Sequence, residues 1–158
     1  YIQLETGEEG YVVDIGWRTT KLKPLHDNLI LVPNSKIGQA IITNYYLPGK
    51  ELAVRVEVGV HYSSDLEKVE KVTCEVATDV IKRINSEITG FRPFIRYHTF
   101  DSSSINFTTF LRAKRFIDHY LVKHEFIKAL HRRYAKEGIV IPFPIRAINY
   151  TQEKGDKG

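Results

Sequence analysis

Leu52, Val54, Val56, Val58 and Val60 are apolar at period two, and an apolar series at helical spacing follows a few residues later. A chain that switches period in this way packs a helix against one face of a sheet. Ala53, Arg55, Glu57 and Gly59 take the alternate positions, so this strand is half-buried. In Ser64-Asp65-Leu66-Glu67 the Ser64 hydroxyl has capping-box spacing to Glu67, which predicts a helix start there. Leu66, Val69, Val72, Cys74, Val76, Val80, Ile81 and Ile84 carry the helix to about residue 88, and Gly90 closes it. Two strands follow, at 94–100 and 104–113, around the polar turn Asp101-Ser102-Ser103. Phe116, Tyr120, Leu121, Ile127, Leu130 and Tyr134 mark a second helix, which Gly138 stops before Pro142. Residues 145–150 read as a last strand and 151–158 as a polar tail. The order from residue 52 is β-α-β-β-α-β, the split βαβ of ferredoxin-like domains.

Residues 10–45 show no such helical period. Residues 10–17 read as a strand with a glycine near each end, and 19–22 as a second extended piece rich in β-branched threonine. Asp27-Asn28 is a turn signal before the short apolar run 29–32, which Pro33-Asn34 stops. Residues 41–46 make a further strand. Four or five short strands without a helix indicate a small all-β unit of Sm-like type. The fold class is therefore α+β, with an all-β domain at 1–47 and a ferredoxin-like βαββα domain at 48–144. Residues 145–158 supply the C-terminal strand and tail, and the two domains join near residues 46–50.

Apolar residues are 42% of the 158 and aromatics 11%, which excludes a disordered tail. No apolar run approaches the roughly 20 residues that span a bilayer. Cys74 stands alone, so an intramolecular disulfide and a CxxC zinc site are excluded. The chain has no Met and opens on Tyr1, which reads as a piece of something longer. Its net charge of +4 conceals a split: residues 1–79 hold 8 basic and 12 acidic side chains, and residues 80–158 hold 15 and 7. A basic half admits nucleic acid, phosphate-bearing ligands or an anionic surface as partners, although solvated basic helix faces are commonplace.

Candidate chemistry is sparse. No two of His26, His61, His98, His119, His124 and His131 stand at i,i+3 or i,i+4, so one helix turn cannot present two imidazoles to a metal. Cys74 lies beside the apolar stripe of the first helix and reads as a small buried hydrophobe. The serines at 102–104 lack a GxSxG elbow, and neither GxGxxG nor GxxxxGK[ST] occurs. The sequence therefore predicts no enzyme, cofactor or metal. An Sm-like module beside an RRM-like one would be an RNA-binding protein, and this is the rival reading. Residues 104–110 have the aromatics of an RNA-stacking strand without its glycine or leading base.

Four motifs together resemble the cytoplasmic part of the MscS family of small-conductance mechanosensitive channels. The first is Gly10-x-Val12, Ile15, Thr19-Thr20, Leu22, Asp27, Ile30, Val32-Pro33-Asn34, Lys36-Ile37, Ile42 and Asn44, similar to that family's β domain. Gly59-Val60, Tyr62 and Ser64-Asp65 match its strand-to-helix entry, and Ser103-Ser104-Ile105-Asn106-Phe107 a later strand. Gly138-Ile139-x-Ile141-Pro142-Phe143-Pro144 matches the segment that leads into its C-terminal strand.

The resemblance implies a homo-oligomer of seven copies forming a cage on the cytoplasmic face of the cell (inner) membrane. Membrane-spanning helices would precede Tyr1, and the final strands would gather into an intersubunit barrel. Ions and small osmolytes would pass through openings in the cage when tension opens the parent channel in hypo-osmotic shock. Nucleic acid and cofactors would have no part. Pro33, Asn34, Ser35 and Asn44 are the candidates for β-domain shape and assembly. Pro142, Phe143 and Pro144 are the candidates for entry into the barrel. Asn34 is expected to hydrogen-bond local backbone or to adopt a left-handed turn. Arg and Lys of the second half, where they face the vestibule, would concentrate anions.

Overall fold

The structure is a computed structural model and describes residues 1–26, 28–47, 49 and 51–144. The Asp27 turn, part of the joint near residues 46–50 and the last strand at 145–150 lie outside the described residues. The first sheet comprises β1 (Ile2–Leu4), β2 (Glu9–Ile15), β3 (Thr19–Lys23), β4 (Ile30–Pro33) and β5 (Ile42–Asn44). It is antiparallel throughout, in the order β4-β3-β2-β1-β5. Two features depart from the expected helix-free unit of later strands. β1 precedes the first expected strand, and α1 (Asn34–Ile37) forms one helical turn directly after Pro33. Leu4, Leu22 and Val32 form the core of this sheet, with Ile2, Ile30, Ile37 and Ala40 packed against them. Gly10 is required by a close approach, because a Cβ there would stand 2.8 Å from the Lys23 carbonyl carbon.

The second sheet holds β6 (Leu52–Val60), β7 (Phe94–Phe100) and β8 (Ile105–Ala113), in the order β6-β8-β7. β6 and β7 both run antiparallel to β8, so they are parallel to each other with β8 between them. This is the expected split βαβ arrangement. Helices α2 (Leu66–Ile84) and α3 (Asp118–Glu137) pack on each other and on this sheet. Burial along β8 alternates strictly, with Ile105, Phe107, Thr109, Leu111 and Ala113 inward. Val54, Val56 and Val60 of β6 join them, as the period-two pattern requires.

Both helices differ in detail from expectation. The cap of α2 is Asp65 rather than Ser64, its carboxylate accepting from the amides of Glu67 (3.0 Å) and Lys68 (3.1 Å). A charged acceptor suits the positive end of the helix dipole better than a hydroxyl. Asn85 leaves the helical region and ends α2 there, so Gly90, at φ +85°, serves a later turn. In α3 the buried stripe is Val122, Phe126, Leu130 and Tyr134, each four residues apart. Tyr120, Leu121 and Ile127 are about half exposed and point away from that core. Gly138 takes the left-handed conformation at the C-terminus of α3, φ +69°, as its position predicts.

One polar pair sits inside the helix interface. The Thr73 hydroxyl donates to the Val69 carbonyl and lies 2.6 Å from the Tyr134 hydroxyl, which therefore donates to Thr73. Burial pushes the Tyr134 phenol up to about 12. A phenol raised above its ordinary 10 stabilises the fold fully below pH 10. That stability is lost as the pH rises toward 12, because the unfolded chain ionises first. Stability measured by urea unfolding is expected to fall between pH 10 and 12, with about 2 kcal/mol of the fall absent in Tyr134→Phe. Asp65→Ala is expected to cost about 1 kcal/mol and Ser64→Ala less than about 0.5 kcal/mol. The reverse order would place the cap at Ser64.

Candidate functional site: a clamped hairpin and an aromatic joint

Pro33 ends β4, an edge strand of its sheet, where its missing amide donor costs no ladder bond to a further strand. Asn34 follows, and its bonds reach across the fold rather than into the local backbone. The side-chain amide donates to the carbonyls of Gly16 (2.9 Å) and Trp17 (3.3 Å), while its oxygen accepts from the Thr20 hydroxyl at 2.8 Å. The Asn34 backbone amide donates to the Arg18 carbonyl at 2.9 Å. The residue thus grips the entire β2–β3 turn. It starts a helical turn and does not adopt the left-handed conformation anticipated as one option.

The other sequence candidates are not brought to this clamp. Ser35 is exposed and takes no part in it. Asn44 ends β5 on the opposite edge of the sheet and accepts from the Tyr46 amide at 2.9 Å. It shapes the exit from the sheet. Pro142, Phe143 and Pro144 have no regular structure, and Phe143 is 84% exposed. Just before them, the Val140 carbonyl accepts from the His61 amide at 3.0 Å, fixing this segment at the end of β6.

Sequence reasoning missed a second feature, an aromatic joint between the first sheet and the start of α3. Tyr1 is buried and stacks on Phe116 at 4.0 Å between centroids, with Tyr11 edge-on to it at 4.9 Å. Tyr45 lies 4.6 Å from Phe116, and Tyr120 meets the same ring edge-on at 6.1 Å. The Tyr45 amide donates to the Tyr1 carbonyl, and its hydroxyl donates to Gln3 Oε1 at 2.8 Å. Burial, with the Glu9 carboxylate second, pushes the Tyr1 phenol up and keeps it neutral. The signal was present as an excess of tyrosine at residues 1, 11, 45 and 46, but nothing in the sequence pairs these with Phe116.

No group of residues able to hold a metal ion occurs among the described residues. His61, His98 and His119 hydrogen-bond to Ser63, Thr99 and the Phe116 carbonyl respectively, all within three residues. Cys74 is half-buried, and burial pushes its thiol up, away from the reactive thiolate. The aromatics of β8 divide between its faces. Phe107 is fully buried, whereas Phe110 faces outward, stacked on Phe94 at 4.8 Å. Arg55 lies over Phe110 at 5.8 Å and Arg96 over Phe94 at 4.8 Å, so the outward rings are covered by this chain's own arginines. Much of the basic excess is likewise matched: Arg83, Lys128 and Arg133 pair with Glu125, Glu75 and Glu137.

The clamp makes a direct prediction. Asn34→Ala removes one acceptor and two donor contacts and is expected to cost about 2 kcal/mol. Asn34→Asp keeps the acceptor but turns a carboxylate oxygen toward two carbonyls, so it is expected to cost at least as much. Denaturant unfolding reads both, and an Asp variant as stable as the parent would contradict the assigned donor contacts.

Residues 1–47 match the family model of the mechanosensitive ion channel beta-domain. Residues 54–141 match that of the MscS C-terminal region. An uncharacterized MscS family protein of Archaeoglobus fulgidus is 30% identical over 153 residues, covering 93% of this chain and 50% of that protein. The small-conductance mechanosensitive channel MscMJ of Methanocaldococcus jannaschii is 27% identical over 143 residues, 90% of this chain and 40% of its own length. The crystal structure of Helicobacter pylori MscS in the closed state superposes with a TM-score of 0.74 at 27% identity. That superposition covers 95% of this chain and 58% of the other. The chain thus spans about half the length, or less, of these curated relatives. Two family models in order along the chain, a shared fold and a relative at 30% identity lead to one conclusion: the chain belongs to the MscS family of mechanosensitive ion channels.

Proposed function

We propose that this chain is the part of a tension-gated channel that forms a cage on the cytoplasmic side of the membrane. The observation that carries this reading is the apolar surface one copy leaves uncovered. Leu4, Leu22 and Val32 are the buried core of the first sheet, while Ile15 and Ile41 are each 73% exposed and Leu31 58%. Ile117 and Leu121, one turn apart at the start of α3, and Ile127 farther along it are also about half exposed. Monomers rarely expose so much apolar side chain on one small unit, and symmetric self-association buries it.

In this reading seven copies assemble, with residues 1–47 as a ring beneath the pore, 48–144 as the walls and 145–158 as strands of a shared barrel. Pro142, Phe143 and Pro144 lead the chain into that barrel, and Asn34 holds the ring's shape. Among the described residues no helix is long and apolar enough to cross a membrane. In this reading the pore is formed by membrane-spanning segments of the parent channel. Ions and small osmolytes pass through the cage during hypo-osmotic shock, and cations such as Arg132 and Lys136, which have no ion-pair partner among the described residues, bias that passage toward anions where they face it. The RNA-binding alternative loses support from the arginine-covered rings of the second sheet.

Exchanging the matching part of the Helicobacter pylori channel for this chain tests the reading in patch-clamp recordings. Tension-activated currents are expected, and a folded, membrane-inserted chimera without them would contradict it. In solution the assembled chain is expected near seven times 18.3 kDa, roughly 128 kDa. Deleting residues 145–158 should shift light-scattering mass toward smaller species, and an unchanged mass would contradict the shared barrel.

A further inference from the structure

Trp17, the single tryptophan of the chain, is 95% exposed at the apex of the β2–β3 hairpin. Its exposure does not come from a loose loop. The Asn34 side chain holds the carbonyls of Gly16 and Trp17, the Asn34 amide holds that of Arg18, and the Gly16 amide donates to Thr19 at 2.9 Å. Four hydrogen bonds thus fix the backbone of an apex whose indole touches almost nothing. Ile15 beside it is 73% exposed. Arg18 is exposed and has no ion-pair partner among the described residues, whereas Lys21 is neutralised by Asp14 at 3.0 Å.

The register gives the apex a direction. Ile2 pairs with Gly10, and β2 runs antiparallel to β1, so the hairpin continues past Tyr1 by about five residues. At about 3.3 Å per residue the apex lies roughly 15–20 Å beyond Tyr1, on the side from which preceding chain enters β1. Under the proposed function that side carries the membrane, and the inference rests on that reading.

We propose that the apex residues Trp17 and Arg18 dock on the lipid headgroup layer. Trp17 lies in the interface, where an indole keeps its ring among apolar groups and its N–H in water. Arg18 meets anionic phosphates, which its planar fork matches. A dry contact with another copy fits this chemistry poorly, because it would bury the unpaired Arg18 charge next to the indole. The Asn34 clamp then acquires a second consequence: it sets the height and angle at which the indole meets the bilayer.

Tryptophan fluorescence tests this on the chain itself. An N-terminal histidine tag captured on chelator lipid in phosphatidylcholine–phosphatidylglycerol vesicles places Tyr1 at the surface. Trp17 emission is expected to shift to shorter wavelength, and lipids brominated near the headgroup should quench it at least twofold. A C-terminal tag on the same vesicles should give neither effect, and Arg18→Glu should weaken the quenching on anionic vesicles. Unshifted, unquenched emission in the N-terminally captured protein would overturn the proposal. So would a concentration-dependent blue shift without lipid, which would place Trp17 against another copy. Light scattering on the same protein separates the two readings: an oligomer with unquenched Trp17 refutes the lipid contact alone, and a monomer with quenched Trp17 refutes only the assembly.

Discussion

The first sheet has too little to bury. Leu4, Leu22 and Val32 are its core, and about 47 residues of twisted antiparallel strand cannot be held firmly by so few apolar side chains. The second sheet is different in kind: among the described residues, nineteen buried side chains fill the space between β6, β7, β8 and the two helices. Ordering the first sheet therefore depends on what it touches. Part of that support comes from within the chain, through Tyr1 stacked on Phe116 and Tyr45 beside both. The rest is assigned to other copies by the proposed function, which puts Ile15, Leu31 and Ile41 in shared contact.

This dependence gives the aromatic joint a mechanical meaning. Tyr1 leads directly into β1, and its ring is held between Tyr11 of β2 and Phe116 of the segment joining β8 to α3. A displacement of the backbone at Tyr1 is felt at once by Phe116, which sits just before α3. Close-packed aromatic contacts transmit such displacements because they have no slack to absorb them. The Asn34 clamp adds rigidity at the far end of β2. The small domain is thus tied at both ends despite its thin core.

How much of this was legible in the sequence depended on whether one element or two were involved. The period-two valines of β6 and the turn at residues 101–103 were readable because local pattern decides them. Gly138 was readable for the same reason, since a left-handed C-cap leaves few alternatives. On α3 the pattern misled: Tyr120, Leu121 and Ile127 are apolar yet face outward, while Val122 and Phe126 carry the core. Apolarity identifies a residue that wants cover without saying which surface supplies it. The Asp65 cap was missed because Ser64 offered the better-known spacing, although the carboxylate bonds two amides. Asn34 was singled out by its motif, but its partners stand 18 and 17 residues back. Long-range pairings of that kind, like that of Tyr1 with Phe116, appear only once the chain is folded.

The account turns on a first sheet that is weak alone and firm in company. Amide hydrogen exchange across a dilution series measures this residue by residue. Protection of β2, β3 and β4 is expected to rise with protein concentration as the copies assemble, while protection of β8 stays constant. If dilute protein with a mass of 18.3 kDa protects β2–β4 as strongly as β8, the first sheet needs no partners, and the central claim fails.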